Sequence, residues 1–276
     1  MLKKASEILA AMEIICRDEE MKELAFSSRP FVVNSFPAKR ISGSTWKRTN
    51  GNSTLTISVP EGEVIPFGMM DRLVPIFLAT RAVQTKARTI EFDSAKEILD
   101  FFGMAHDGPS YRRLTQSLNR VFNASVFFTV ESKTHSSKAR FNFLSGLSLW
   151  KKDSESPRLF RNQIILSADF FEEIIKHPIP LDLAIVRLLR SKPLTLDLYM
   201  FLSYRVWGIK KPLRITLAEL AHALGSRAYG TNPTVFRKRF QASLDLIVKL
   251  TGLNDVRVEG ETLLLSPGIR KRIGPG

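Results

Sequence analysis

The chain has 276 residues, 44% hydrophobic and 25% charged, which is the make-up of a folded globular protein and excludes a disordered or collagen-like one. Lysine and arginine outnumber aspartate and glutamate by 41 to 27, a net charge of +14 that favours a polyanionic partner, either nucleic acid or an acidic membrane surface. No apolar run approaches the ~20 residues of a membrane span, and the first residues lack a signal-peptide core. The only cysteine, Cys16, excludes an internal disulfide, so a reducing, cytoplasmic setting is expected.

Residues 2–26 carry Leu2, Ala5, Leu9, Met12 and Cys16 at helical spacing, which predicts an N-terminal helix with charges of both signs on its other face. From Leu24 to Pro60 there is no acidic residue, while Arg29, Lys39, Arg40, Lys47 and Arg48 add positive charge. Pro30, Pro37, Gly43 and Asn50-Gly51 make this stretch read as a basic loop, which ends in the strand-like alternation of Leu55, Ile57 and Val59. A helix is predicted over 69–84, an extended segment over 88–92, and a helix from a cap at Asp93 to near Gly103. Pro109 opens the next helix, which runs to about Asn123. Three extended segments follow, at 126–131, 140–150 and 160–167, and then a helix over 168–176.

His177-Pro178-Ile179-Pro180 is a stiff link and marks a domain boundary. Beyond it, helices are predicted over 181–191 and 194–208, an extended step at Arg214-Ile215, and a helix over 217–224 closed by Gly225. Asn232-Pro233 opens a last helix to about residue 250, and a hairpin of 256–259 with 262–265 turns at Gly260-Glu261. The tail, Arg270-Lys271-Arg272, is basic.

The two halves repeat each other. Phe77-Leu78-Ala79-Thr80-Arg81 returns as Phe201-Leu202-Ser203-Tyr204-Arg205, an offset of 124 residues (77 to 201). Arg113-Leu114-Thr115-Gln116-Ser117-Leu118-Asn119 returns as Arg239-Phe240-Gln241-Ala242-Ser243-Leu244-Asp245, an offset of 126 (113 to 239). A period this long means two related domains, since solenoid repeats run at about 20–50 residues. The order in each half is helix, short strand, helix, turn, basic helix, hairpin. The expected fold is therefore α+β, with two tandem winged-helix domains and an N-terminal helix. The segments are 1–60, 61–180 with a long wing, 181–267, and a basic tail at 268–276.

Each half has one helix with an apolar stripe and a cationic face. In the first, Leu114, Leu118 and Val121 form the stripe, and Arg112, Arg113, Gln116, Asn119 and Arg120 lie opposite or at its margin. In the second, Phe236, Phe240, Leu244 and Ile247 are apolar, with Thr234, Arg237, Lys238, Arg239 and Gln241 around them. Arginine pairs bidentately with guanine, glutamine and asparagine pair with adenine, and lysine or threonine holds phosphate. The hairpins add Lys133, Lys138, Arg140 and Arg257 for backbone contact. The apolar strands of the first hairpin, with Phe127, Phe128, Phe141, Phe143, Leu147 and Trp150, suggest a self-association edge.

Nothing in the sequence points to an enzyme. There is no glycine-rich phosphate loop followed by lysine. The four histidines, His106, His135, His177 and His222, are scattered, and no metal site or cofactor is expected. The tyrosines lack the paired-histidine companion that a nicking enzyme would need.

Ile65-Pro66-Phe67-Gly68 leading into 79–88, the run 170–183, and 184–207 with Leu196-Asp197-Leu198-Tyr199-Met200-Phe201 resemble the plasmid-encoded RepA replication initiators, and among them those of IncW-type broad-host-range plasmids. The likeness spans roughly residues 60–267. It implies two winged-helix domains that bind origin iterons in double-stranded DNA, promote opening of the origin and recruit host DnaA and the replicative helicase in the bacterial cytoplasm. It also implies no catalysis, a monomer–dimer equilibrium in which the dimer represses the initiator's own gene, dimerisation and backbone contact through the first domain, and stronger base readout by the second. A winged-helix repressor without an initiation role is the competing reading.

Overall fold

The computed structural model describes residues 23–33, 35–50, 52–131, 134, 136–149, 162–209, 211–224, 228–253 and 256–266. Residues 2–22 of the helix expected over 2–26, Lys133, the segment 150–161 and the basic tail lie outside these residues. The chain divides into two compact units, one of residues 26–178 and the other of residues 1–25 with 179–276. Strand β1 (Leu24–Ser27) is where the chain passes from one to the other. Residues 24–26, which the sequence assigned to the end of an N-terminal helix, are strand instead. The alternating burial of Leu24, Ala25, Phe26 and Ser27 is that of a strand, and β1 pairs with β9 (Ile179–Asp182).

The unit of residues 26–178 is built round α2 (Met70–Thr85), which follows the short helix α1 (Arg29–Val33). Helix α2 has no polar face: Leu73, Val74, Ile76, Phe77, Leu78, Ala79 and Ala82 are all buried. A helix apolar all round belongs in the middle of a core. It ends at Lys86, whose left-handed backbone (φ 52°) lets its N–H donate to the Ala82 carbonyl. Next come β4 (Thr89–Phe92), α3 (Ala95–Phe101) and α4 (Gly108–Asn123). The Asp107 carboxylate caps α4 by accepting from the Ser110 N–H at 2.7 Å, and Pro109 stands in the first turn.

Two sheets follow, where the sequence predicted three extended segments forming one long wing. Strands β5 (Ser125–Glu131) and β6 (Ser136–Asn142) join β2 (Thr45–Asn50) and β3 (Ser53–Ser58) in an antiparallel sheet of order β2-β3-β5-β6. Strands β7 (Leu144–Ser148) and β8 (Asn162–Leu166) instead join β4, in the order β4-β8-β7. The stretch 140–150 is therefore not one strand. Phe143 and Leu144 are adjacent and both buried, which breaks the inside–outside alternation, and the chain leaves one sheet for the other at that point. The supposed basic loop before Pro60 contains the hairpin β2–β3.

Two of the apolar hairpin residues, Phe141 and Phe143, pack inward. Phe143 stacks on Phe31 with centroids 4.9 Å apart and meets Phe170 edge-on at 5.3 Å, and Phe141 stacks on Phe170 at 5.6 Å. Phe170 is on α5 (Ala168–Lys176), capped by the Ser167 hydroxyl. Strand β5, flanked by β3 and β6, presents no open edge. Phe141 and Phe143 are therefore core, each such ring pair adding ~0.5–1.5 kcal/mol beyond area burial, whereas Phe127 stays exposed and β6 forms an edge of the sheet.

The second unit continues from β9 into α6 (Leu183–Leu189) and α7 (Pro193–Gly208). Asp182 caps α6, and its own N–H donates to the Tyr199 hydroxyl at 2.9 Å. Tyr199 is fully buried, and that burial pushes its phenol well above the ordinary range. Strand β10 (Leu213–Thr216) leads into α8 (Leu217–Ala223) through a capping box between Thr216 and Glu219, whose hydrogen bonds from Thr216 hold the Glu219 carboxyl below its usual range. A single turn, α9 (Ala228–Thr231), precedes α10 (Pro233–Thr251). The unit closes with β11 (Val256–Glu259) and β12 (Thr262–Leu265), joined at Gly260 (φ 59°), in a sheet of order β10-β12-β11. Both units thus share one plan: a buried helix, a strand, two helices and an antiparallel strand pair whose second strand pairs with the strand that follows the buried helix, β8 with β4 and β12 with β10.

Candidate nucleic-acid interface

Helix α10 owes its start to Asn232, whose side chain accepts from the Val235 N–H at 3.1 Å, and to Pro233. Phe236, Phe240, Ser243, Leu244, Ile247 and Leu250 are buried, with Ser243 and Thr195 sharing a hydrogen bond at 2.9 Å. Packing that stripe on α7 turns the opposite face outward. Thr234, Lys238, Gln241 and Asp245 then form one exposed row at steps of three and four residues, with Arg237 and Arg239 on either side.

These side chains are not equally available. The Arg237 guanidinium pairs with Glu261 in the β11–β12 turn at 2.9 Å, and the Gln241 amide donates to Asp245 at 2.8 Å. Arg257 pairs with Glu259 on its own strand at 2.8 Å. Thr234, Lys238 and Arg239 are exposed and have no side-chain partner among the described residues. Exposed pairs like that of Arg237 contribute about 0–1 kcal/mol, so a phosphate competes for such a cation at little cost.

In α4 the allocation differs. Leu114, Ser117, Leu118 and Val121 are buried, and Arg112, Gln116 and Asn119 are exposed without a side-chain partner among the described residues. Arg113 donates to the Ser110 hydroxyl at 3.1 Å. Hydrogen bonds from Ser110 also hold the Asp107 carboxyl below the usual carboxylate range. Arg120, expected at the DNA, faces inward. Its Nε and one terminal nitrogen bind both carboxylate oxygens of Asp71 at 2.7 and 2.8 Å, and its guanidinium lies 4.8 Å from the Phe67 ring centre. Asp71 is fully buried and also accepts the Phe67 N–H at 2.6 Å. A buried carboxylate needs a paired cation, and Arg120 is that cation. Beside it, buried Arg72 donates to the carbonyls of Phe36, Pro37 and Gly68. Asp71-Arg72 at the start of a largely buried helix was the one sequence signal of this network.

Lys138 and Arg140 lie on β6, and Arg140 sits over the Phe127 ring at 5.1 Å. Lys133 lies outside the described residues. Among the described residues no three histidine, cysteine, aspartate or glutamate side chains are grouped so as to hold a metal ion, and no helix is long and apolar enough to cross a membrane.

The geometry defines an α+β protein with two units of one plan, each presenting a helix with an exposed cationic face. Residues 103–216 match the family described as plasmid encoded RepA protein, in line with the resemblance drawn from the sequence. No curated protein sequence matches the chain. Among solved structures, domains 2 and 3 of RctB match with a TM-score of 0.54 and 15% identity, over 87% of this chain and 99% of that one. A second structure of RctB domains 2-3 gives 0.52 and 16%, over 86% and 95%. At these identities the likeness is one of fold.

Proposed function

We propose that the chain is a plasmid replication initiator in which each unit is a winged helix, α4 and α10 being the helices that meet duplex DNA. The RepA match over 103–216 supports the replicon-initiator class, and Lys238 and Arg239 at the start of α10, exposed without a side-chain partner among the described residues, are the observation that carries the DNA-binding reading. In this reading α10 reads base edges, with Arg239 as the guanine-reading candidate and Lys238 and Thr234 on phosphates. Helix α4, through Arg112, Arg113, Gln116 and Asn119, adds mainly backbone contacts. The targets are origin iterons of an IncW-type plasmid. Origin opening, recruitment of host DnaA and helicase, autorepression by a dimer, a cytoplasmic location and the lack of catalysis complete the proposal.

Footprinting on the parent plasmid is the test. Protection of several evenly spaced direct repeats supports initiation, whereas one inverted repeat at a promoter supports a repressor. With ~6–10 phosphates engaged, log K against log salt falls with a slope of about −5 to −9, and a slope shallower than about −2 would place the positive charge elsewhere.

A further inference from the structure

The four-stranded sheet β2-β3-β5-β6 has one face on the core and one face turned out. Along β3, Ser53, Leu55 and Ile57 are buried, while Thr54, Thr56 and Ser58 are not. Pairing carries that division across the sheet. Lys47, Thr56, Phe127 and Arg140 are directly opposite one another in one row of the outward face. Two residues along, Thr49, Thr54, Thr129 and Lys138 form the next. Adjacent strands are about 4.8 Å apart, so each row of four spans about 14 Å.

Three features of this face have no use within the fold. Phe127 is 37% exposed in the middle of a sheet, where a residue facing water is ordinarily polar. Lys47 and Lys138 have no carboxylate partner among the described residues, where the Arg140 side chain interacts with the Phe127 ring alone. The remaining positions of these rows are threonines, with short side chains that leave the ring accessible. On the other side of the Phe127 row, Ser58, Ser125 and Asn142 form the adjacent row and line a groove of about 690 Å³ together with Phe122, which is 39% exposed at the end of α4. The cations call for an anionic partner, and the two exposed rings call for one with flat apolar faces. Duplex DNA offers phosphates but keeps its base faces stacked. Single-stranded nucleic acid offers both.

We propose that the outward face of this sheet binds single-stranded DNA, with a base stacked at Phe127, phosphates held by Lys47, Lys138 and Arg140, and the strand continuing along the groove towards Phe122. In the free protein Arg140 covers the Phe127 ring, and on binding it turns to a phosphate or sandwiches the base. Among the described residues of these strands only Glu131, at the far end of β5, places an acid on this face. The site is separate from α10, so it stands or falls independently of the duplex-reading role.

The test is fluorescence anisotropy of the full chain with labelled oligothymidylate of about 20 nucleotides and, separately, with duplex DNA. Phe127→Leu keeps the bulk and removes the aromatic face, and should weaken oligothymidylate binding at least about fivefold while duplex affinity stays within about twofold. Phe127→Trp should restore single-strand binding. Replacing Lys47 and Lys138 together by glutamine should lower single-strand affinity and flatten its salt dependence by about one unit of slope. Conversely, Arg239→Ala should leave the oligothymidylate affinity unchanged. Failure of the unmodified protein to bind oligothymidylate, equal binding by Phe127→Leu, or a parallel fall in single-strand and duplex affinity in a folded Phe127→Leu protein would each overturn the proposal.

Discussion

Helices α4 and α10 occupy the same place in two units of one plan and look alike as sequence, yet they spend their cations differently. Helix α10 keeps Lys238 and Arg239 exposed without a partner among the described residues, and its Arg237 is held only by an exposed pair with Glu261. Helix α4 gives Arg120 to the buried carboxylate of Asp71. Its unit instead displays cations on a sheet, at Lys47, Lys138 and Arg140. A cationic helix face is therefore not one kind of thing. What fixes the role of each arginine is whether the neighbouring helix brings an acid within reach.

The comparison is broken most severely at Arg120. Arg120→Ala leaves the Asp71 carboxylate buried and uncompensated, and should destabilise its unit by about 3–5 kcal/mol in urea unfolding. Replacing Asp71 by Leu and Arg120 by Met together should restore most of that loss, because an apolar pair carries no desolvation penalty. A mild effect of Arg120→Ala on stability with a large one on DNA affinity would reverse the assignment.

At Arg239 the expected outcome is the opposite. Arg239→Ala should leave the unfolding midpoint unchanged and cost about 1–3 kcal/mol on the specific site, relaxing discrimination at one base position. If specific and random duplex weaken equally, Arg239 is a phosphate contact. Asn232→Ala removes the cap that starts α10 and should lower stability by about 1 kcal/mol, with DNA binding falling because the first turn frays. Glu261→Gln is the smallest change. Losing that exposed pair should alter stability by less than about 1 kcal/mol, while freeing Arg237 tightens binding to duplex of any sequence. Weaker binding in Glu261→Gln would mean that the pair positions Arg237 for contact.

Much of the fold was legible because its signals are local. Asp107 and Pro109 at the start of α4, Asn232 and Pro233 at the start of α10, and the hairpin turning at Gly260 are choices that the chain makes within a few residues of itself. The apolar stripes of both helices follow from a period of 3.6 residues, and the repeat between the halves is visible without any structure. So the mixed α+β class, the two-unit plan and the RepA likeness were available from the sequence.

What the tertiary structure decided is pairing between distant segments, which no local pattern encodes. The hairpin 45–58 sits some seventy residues before β5 in the chain, yet it pairs with β5 through six register positions, so β5 is interior and Phe127 lies in mid-sheet beside Arg140. The strand-like stretch 140–150 was divided because Phe143 fits against Phe31, Phe36 and Phe170, and only the packed core can impose that requirement. Arg120 carries the same charge as Arg112 and Arg113 and lies on a face that helical periodicity assigns to solvent. Asp71, forty-nine residues earlier, takes it out of that set, because a buried charge must find its counterion wherever the fold places one.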